Sequence, residues 1–261
     1  MRAVEPIHVT HLFAPLNDEL IALLRSLTPE EWNAPTVAGA WTVKDVAAHL
    51  LDTELRRLSM HRDGYEPPLP PDAFANGISG FVNGMNADGV ALLRRVSPAL
   101  LIDLHARYGP QMAEFFATLD PFAAAKWSVS WAGEEGSQNW FDVARELTER
   151  WHHQQQIRDA TGRPALYDRY LAPVLETFVR AVPFAYREAE GGPVVLRIDE
   201  GVWSLVEGKL YVGAAESPSV TVGLTGDVAW RLFTRQKIDP RAVVEGDARL
   251  AEPLLKMVAI I

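Results

Sequence analysis

Hydrophobic positions in the first two-thirds of the chain recur at helical spacing. The first predicted helix has its apolar residues three or four positions apart, at Leu16, Leu20, Leu23, Leu24 and Leu27. A second helix is predicted from about Val43 to His61, with Thr42 as its cap and Asp45 placing negative charge in its first turn. These two patterns predict long amphipathic helices that share a core.

Further helices are predicted after residue 70, and one of them carries a weak signal. The stretch from Ala73 to Val96 contains four glycines, which favour a broken helix because each is unfavourable in a helix interior. Ser97-Pro98 opens the next helix, the segment from Trp140 to a stop at Gly162 forms another, and a last one covers roughly Leu171 to Glu188. The first part of the chain is therefore predicted to be a helical bundle.

The pattern changes near Gly191. Short β-rich runs with glycine between them follow, "PVVLRIDE", "GVWSLVEG", "KLYVGAA" and "SVTVGLTG", and Glu207-Gly208 suits a hairpin turn. Helical spacing then returns near the end of the chain. We expect a helical domain at residues 1–165, a linking helix at 166–190 and a small α+β domain at 191–261.

Composition and charge narrow the possible partners. The net charge is −9, so the surface as a whole repels nucleic acid and anionic membranes, and neither is expected as a partner. No apolar run is long enough to span a bilayer, and the N-terminus lacks the apolar core of a signal peptide, so a cytoplasmic location is expected. The chain has no cysteine, so any metal site uses histidine and carboxylate, and any thiol chemistry uses an external thiol.

A charged cluster in the helix from Trp140 onward is the first candidate for chemistry. Glu149 lies three residues before His152 and four before His153, so either pair can face one ion. Glu149 and His153 lie well off the apolar stripe of this helix, so this helix taken alone favours a solvated polar face with a Glu–His contact over a metal site. His49 lies on the edge of the apolar stripe of an earlier helix, where a hydrogen-bonded core histidine is common. At this level the choice between a metal site and ordinary helix surface stays open.

Two stretches about a hundred residues apart resemble one family. "GAWTVKDVAAHLLDTE" and "ELTERWHH" are similar to motifs of the DinB-like superfamily, and more closely of its mycothiol-dependent maleylpyruvate isomerase branch. The segment "GLTGDVAWRLFTRQKIDPRAVVEGDARLAEPLL" resembles the C-terminal domain of that family, which is related to sterol-carrier proteins. The resemblance implies an antiparallel four-helix bundle with one divalent metal, followed by a small α+β domain.

The resemblance also implies site residues and cofactors. The metal ligands by position are His49, Glu149 and His153, with His152 as a neighbour. Zinc is the first choice of metal, and nickel or iron are alternatives. The implied cofactor is a low-molecular-weight thiol such as mycothiol, and Arg235 is the implied catalytic cation, although the family tends to have Gly-Arg where this chain has Thr-Arg-Gln.

Several other residues are expected to be structural. Trp41 and Trp151 are expected in the core, and no ligand spacing is found for His8, His11, His61 or His105. Asp45 or Asp52 could hydrogen-bond His49, although plain surface carboxylates are expected. Gln156 could support a ligand.

The sequence favours a thiol-dependent isomerase or S-transferase acting on a small electrophilic substrate, as a monomer or homodimer. Two alternatives remain: an iron oxygenase with two histidines and one carboxylate, and a non-catalytic protein that binds a metal or an apolar ligand.

Overall fold

The computed structural model describes residues 1–69 and 72–260, and the chain within it forms two compact units. The helical unit contains residues 9–126 and 149–166. The sheet unit contains residues 1–8, 127–148 and 167–260. Ile261, the last residue of the predicted third segment, lies outside the described residues.

Long helices build the helical unit. They are α1 (Phe13–Arg25), α2 (Val43–Arg56), α3 (Gly77–Leu93), α4 (Pro98–Thr118) and the residues from 149 onward of α5 (Asn139–Ala160). Helix α1 packs against α4, and α2 packs against both α3 and α4. The buried apolar faces of these helices form the core that the 3.6-residue spacing predicts.

The start of α2 is fixed by side-chain caps. Thr42 Oγ1 accepts the N–H of Asp45, and the Asp45 carboxylate accepts the N–H of Thr42 at 3.1 Å. Arg94 binds the same carboxylate, which lowers the pKa of Asp45 although burial opposes ionisation. After Arg56 the chain continues as a π-helical turn over Arg57–Arg62, so the predicted helical path to His61 is confirmed.

Helix α3 is continuous, so the expectation of a break among its glycines is wrong. Gly89 explains part of the difference. A Cβ at this position would lie 2.5 and 2.6 Å from the two carboxylate oxygens of Asp52 on α2. The glycine therefore lets α3 approach α2 closely, and the packing offsets its low helix propensity.

The predicted helix over residues 171–188 is interrupted. The chain forms α6 (Asp168–Phe178), a 3-10 turn (Val179–Ala181) and the short helix α7 (Val182–Ala185). Pro183 lies in the first turn of α7. Proline has no N–H to donate to the carbonyl four residues earlier and is well tolerated in the first turn of a helix, so Pro183 favours a new helix that begins here.

A six-stranded mixed sheet forms the centre of the sheet unit, in the order β1-β4-β3-β2-β5-β6. Its strands are β1 (Arg2–Ala3), β2 (Val194–Ile198), β3 (Gly201–Val206), β4 (Lys209–Val212), β5 (Val220–Leu224) and β6 (Val243–Gly246). The two edge strands β1 and β6 were not predicted. Strand β1 has only two residues, and β6 is exposed along its whole length, so neither shows an apolar alternation.

The turn between β3 and β4 is the hairpin predicted at Glu207-Gly208. Both residues have positive φ, at 50° and 74°, as a two-residue type I′ turn requires. Helices α8 (Gly226–Phe233) and α9 (Glu252–Leu255) complete this unit. The predicted fold class, a helical region followed by a C-terminal α+β region, is confirmed. Among the described helices, none combines the length and apolar character needed to cross a bilayer.

Candidate metal centre

Three of the residues singled out from the sequence meet in the helical unit. His49 lies in the second turn of α2, and Glu149 and His153 lie one turn apart on α5. Each offers one ligand atom, and these atoms all lie within 4.8 Å of one another. His153 Nε2 is 3.5 Å from Glu149 Oε2, and the rings of His49 and His153 have centroids 4.7 Å apart.

Helix α5 is buried on nearly every side, so the solvated polar face that its sequence allowed is not what forms. His153 is 8% exposed, and Glu149 is half-buried. Polar side chains on this helix bind neighbouring segments: Gln154 donates to Leu16 O of α1 at 2.8 Å, and Gln155 donates to Leu166 O at 3.1 Å. The polar pattern of α5 therefore marks internal contacts instead of exposure.

His49 has an imidazole suited to ligation. The residue is 3% exposed, and its Nδ1 finds no hydrogen-bond partner within the described parts of the chain. Burial, followed by the charge of His153, lowers the pKa of His49 well below its usual value. The ring is therefore neutral at neutral pH, and a buried nitrogen without a partner costs free energy that a bound ion can recover.

His153 is oriented by its neighbour Gln156. Nδ1 of His153 lies 2.7 Å from Gln156 Oε1. Since a carboxamide oxygen only accepts, the Nδ1–H donates to it, and Nε2 is the ring nitrogen that faces Glu149. The supporting role expected of Gln156 agrees with this contact.

Glu149 is held in its ionised form. Burial raises the pKa of this carboxyl, but the hydrogen bond to His153 and the nearby charges of His152 and His153 outweigh burial and hold the pKa well below its usual range. An ionised carboxylate between imidazoles is a good oxygen donor for a divalent cation.

His152 lies beside this group but outside it. Its ring is buried, with its centroid 4.1 Å from that of His153. Among the described residues, the group of close donor atoms contains His153 and not His152. This placement agrees with the assignment that the resemblance implied, and ligation itself remains a prediction.

Trp41 packs, half-buried, against the apolar core of the helical unit, as predicted, and its ring also lies beside the candidate ligands. Its ring centroid is 5.0 Å from that of His49 and 6.4 Å from that of His153. Trp41 directly precedes the cap Thr42. Its place in "GAWT", one of the stretches that resemble the family, was the sequence feature that could have predicted its position beside the site. Trp151 is also in the core as predicted, fully buried with its Nε1–H donated to Leu166 O at 2.7 Å.

The two aspartates beside His49 in sequence are engaged elsewhere. Asp45 is buried and caps α2 while binding Arg94, so the surface position expected of it is wrong. Asp52 lies 2.9 Å from Arg56 Nε on the same helix. Both carboxylates thus stabilise α2 itself.

Arg235 belongs to the sheet unit. It is exposed, follows α8 with a positive φ of 64°, and donates its N–H to Leu232 O at 3.1 Å. Its predicted role as a cation for the substrate remains a prediction.

The donor set fits a divalent transition metal. Two imidazole nitrogens and one carboxylate oxygen match the preferences of zinc, nickel or iron, and three protein ligands leave further positions open. Two donors of a tetrahedral zinc site lie about 3.3 Å apart, close to the 3.5 Å between His153 and Glu149. The orphaned His49 nitrogen and the oriented His153 ring support the same conclusion.

Fold and site together define a class: a helical domain with a two-histidine, one-glutamate centre, followed by a mixed-sheet domain. The family profile described as the mycothiol maleylpyruvate isomerase N-terminal domain matches residues 13–158, more than half of the chain. The chain belongs to this family. The family resemblance drawn from the sequence is thus confirmed.

Solved structures give a consistent result. A mycothiol-dependent maleylpyruvate isomerase superposes with a TM-score of 0.58 at 14% identity, covering 89% of this chain and 90% of the other. A histidine-to-alanine mutant of a protein with the same description gives 0.56 at 13% identity, with 85% and 86% covered. A search of curated proteins gives no match. At these identities the likeness establishes the fold, and family membership supports an enzymatic role.

Proposed function

We propose that this protein is a metal-dependent enzyme that uses an external low-molecular-weight thiol, such as mycothiol, for isomerisation of, or S-transfer to, a small electrophilic, carboxylated substrate. The observation that carries the proposal is the group formed by His49, Glu149 and His153 inside the helical unit. Membership in a family named for a mycothiol maleylpyruvate isomerase supports the choice of thiol and of substrate class.

The chain's own residues would hold and orient the ion. His49 supplies a neutral imidazole, Glu149 an anionic oxygen, and His153 the Nε2 of a ring that Gln156 orients. A divalent cation, when bound, supplies a positive charge that lowers the pKa of a thiol and makes it a nucleophile near neutral pH. The ring of Trp41 would form an apolar wall beside the two imidazoles, with centroids 5.0 and 6.4 Å away.

The thiol of this proposal is external, because the chain has no cysteine of its own. In the isomerisation, the thiolate adds to one carbon of a cis double bond, and the electron pair moves onto the conjugated carbonyl. The remaining single bond rotates. The electron pair returns, the thiolate leaves, and the double bond re-forms as trans. In an S-transfer the adduct is instead protonated and released. Arg235 would bind the substrate carboxylate.

The test is metal content by mass spectrometry on tag-free protein, in the parent and in Glu149→Ala and His153→Ala. We expect nearly one zinc or nickel per chain in the parent and its loss in both variants. His152→Ala is the matched control at the adjacent position and should keep the metal. Loss of metal in His152→Ala but not in His153→Ala would reassign the ligand.

The loaded protein should then convert maleylpyruvate to its trans isomer with mycothiol, and more slowly with glutathione. If the purified protein contained mostly iron and consumed oxygen, the oxygenase would replace the isomerase as the proposed function, because the same donor set binds iron. No metal after incubation with divalent ions would reject the enzyme and leave a binding protein.

A further inference from the structure

A second group of charged residues lies fully inside the helical unit, apart from the three candidate ligands. Glu54 of α2 and His105 of α4 are 0% exposed, and Arg150 of α5 is 2% exposed. Arg150 Nη2 donates to Glu54 Oε1, and His105 Nδ1 lies 2.9 Å from the same oxygen. One carboxylate oxygen thus joins three helices.

Both His105 and Arg150 also reach the backbone of α2. His105 Nε2 lies 3.0 Å from Ala47 O, and Arg150 Nη1 donates to Leu50 O at 3.4 Å. Each nitrogen of His105 faces an acceptor, an arrangement that the imidazolium form satisfies with its two N–H groups. Burial raises the pKa of Glu54, but His105 and Arg150 outweigh it and lower the pKa, so the carboxylate is ionised.

These contacts bind the two helices that carry the candidate ligands. His49 lies between Ala47 and Leu50, whose carbonyls accept from His105 and Arg150. Arg150 directly follows Glu149, and His153 is less than one turn further on. Since a slip of one residue moves a helix by about 1.5 Å along its axis and turns it by about 100°, His49 meets the two α5 ligands in one register only.

Apolar side chains alone specify register weakly, because hydrophobic burial is non-directional. A buried ion pair is directional, and separating it leaves an uncompensated charge in the core. We propose that Glu54 and Arg150, with His105 behind Glu54, are positioning residues that set the register of α2 on α5 and hold His49 within reach of Glu149 and His153. This inference rests on the metal site proposed above.

The experiment measures Co²⁺ and Zn²⁺ affinity in a triple variant, Glu54→Leu/His105→Leu/Arg150→Met. These substitutions keep side-chain bulk and leave no member of the group without its partner. We expect the variant to fold, by circular dichroism and thermal melting, but to bind both ions about tenfold or more weakly. The visible spectrum of bound Co²⁺, which reports ligand geometry, should change.

The matched control is Glu19→Leu/Arg158→Met. This pair, 3.1 Å apart, joins the same helix α5 to α1 instead of α2, so metal affinity and the Co²⁺ spectrum should stay at parent values. Parent-like affinity and spectrum in the folded triple variant would overturn the positioning role while leaving the metal site intact. A parent that binds neither ion would overturn the metal site, and this inference with it.

A conservative variant covers the case in which the triple variant does not fold. Arg150→Lys keeps the charge but has a single nitrogen for Glu54 and Leu50 O. We expect a several-fold loss of Co²⁺ affinity with retained fold. Affinity equal to that of the parent would reject the proposal.

Discussion

The helical unit and the C-terminal residues 167–260 bury different kinds of polar side chain. In the described part of that C-terminal region, the buried polar residues are the hydroxyl residues Thr177, Ser204 and Thr234. Each donates to a nearby carbonyl, at 2.8, 2.6 and 2.9 Å. The helical unit instead buries acids and bases, among them Glu54, Arg150 and His49.

This difference indicates where the chemistry lies. A buried hydroxyl bound to a local carbonyl costs little, whereas a buried charge or an orphaned imidazole is expensive unless something compensates it. In the helical unit some of that cost is offset by internal ion pairs, but His49 Nδ1 is left without a partner in the described residues. The helical unit therefore carries the candidate metal ligands at the expense of its own stability, whereas the buried hydroxyl groups of the C-terminal region are each hydrogen-bonded.

The largest expected effect is on the stability of the C-terminal region. Trp230 of α8 is fully buried, and Trp230→Ala should lower the free energy of unfolding by about 3–5 kcal/mol, measured by urea denaturation. Metal content should not change, because no candidate ligand belongs to the sheet unit. Loss of bound metal in the folded variant would contradict the separation of roles.

The next largest effect is on metal binding, with stability unchanged or increased. His49→Leu should weaken zinc binding by more than about 100-fold, because even residues behind a ligand contribute 10- to 100-fold. The metal-free variant should be as stable as the metal-free parent or more stable, since the substitution removes a buried nitrogen that lacks a partner. A chelator competition assay and thermal melting in EDTA measure the two quantities. A clear loss of stability in EDTA would mean that His49 is a structural residue.

A smaller effect is expected at Gln156. Gln156→Leu removes the acceptor for His153 Nδ1, frees the ring to rotate or change tautomer, and should weaken zinc binding about tenfold. Gln156→Glu is the matched control, because a carboxylate accepts the same hydrogen bond and should keep the affinity or increase it. Equal affinities in all three proteins would show that Gln156 does not orient the ligand.

Local sequence signals were sufficient for most of the helices and the central strands. The Thr42 cap and the apolar spacing after it located α2, and the glycine-separated β-rich runs located β2 to β5. The pairing of His49 with α5 could not come from local pattern, because a hundred residues separate them. It came from the resemblance to a family.

Buried charge was the feature that sequence reasoning missed. No local sequence feature distinguishes Glu54 and Arg150 from surface residues. A polar residue on a helix surrounded by other helices has the same local pattern as one that faces solvent. Trp41 packs against the core as predicted, but its position beside the candidate ligands was missed for a related reason, since an aromatic side chain suits a core and a site wall equally. Only the packing of α2 on α5 distinguishes these cases.

The smallest predicted effect contrasts this buried chemistry with a surface pair. Arg163 donates to Glu31 at 3.0 Å, and this pair, with the Thr28 N–H, lowers the pKa of Glu31 from 4.5 to about 2. A carboxyl whose pKa is lower in the folded than in the unfolded protein stabilises the fold at any pH above its unfolded-state pKa. The stabilisation from Glu31 is therefore complete above about pH 4.5 and is lost as the pH falls through about 2.

The measurement is the urea midpoint of the parent and of Glu31→Gln between pH 6 and pH 3. The difference between the two should be small at pH 6, as for most solvent-exposed pairs, and should shrink as the pH falls. Glu30→Gln, at the exposed neighbouring position, should show no such trend. If the difference in urea midpoint grew as the pH fell, the lowered pKa of Glu31 would be contradicted. If the difference did not change with pH, Arg163 would stabilise the ionised carboxylate no more than water does.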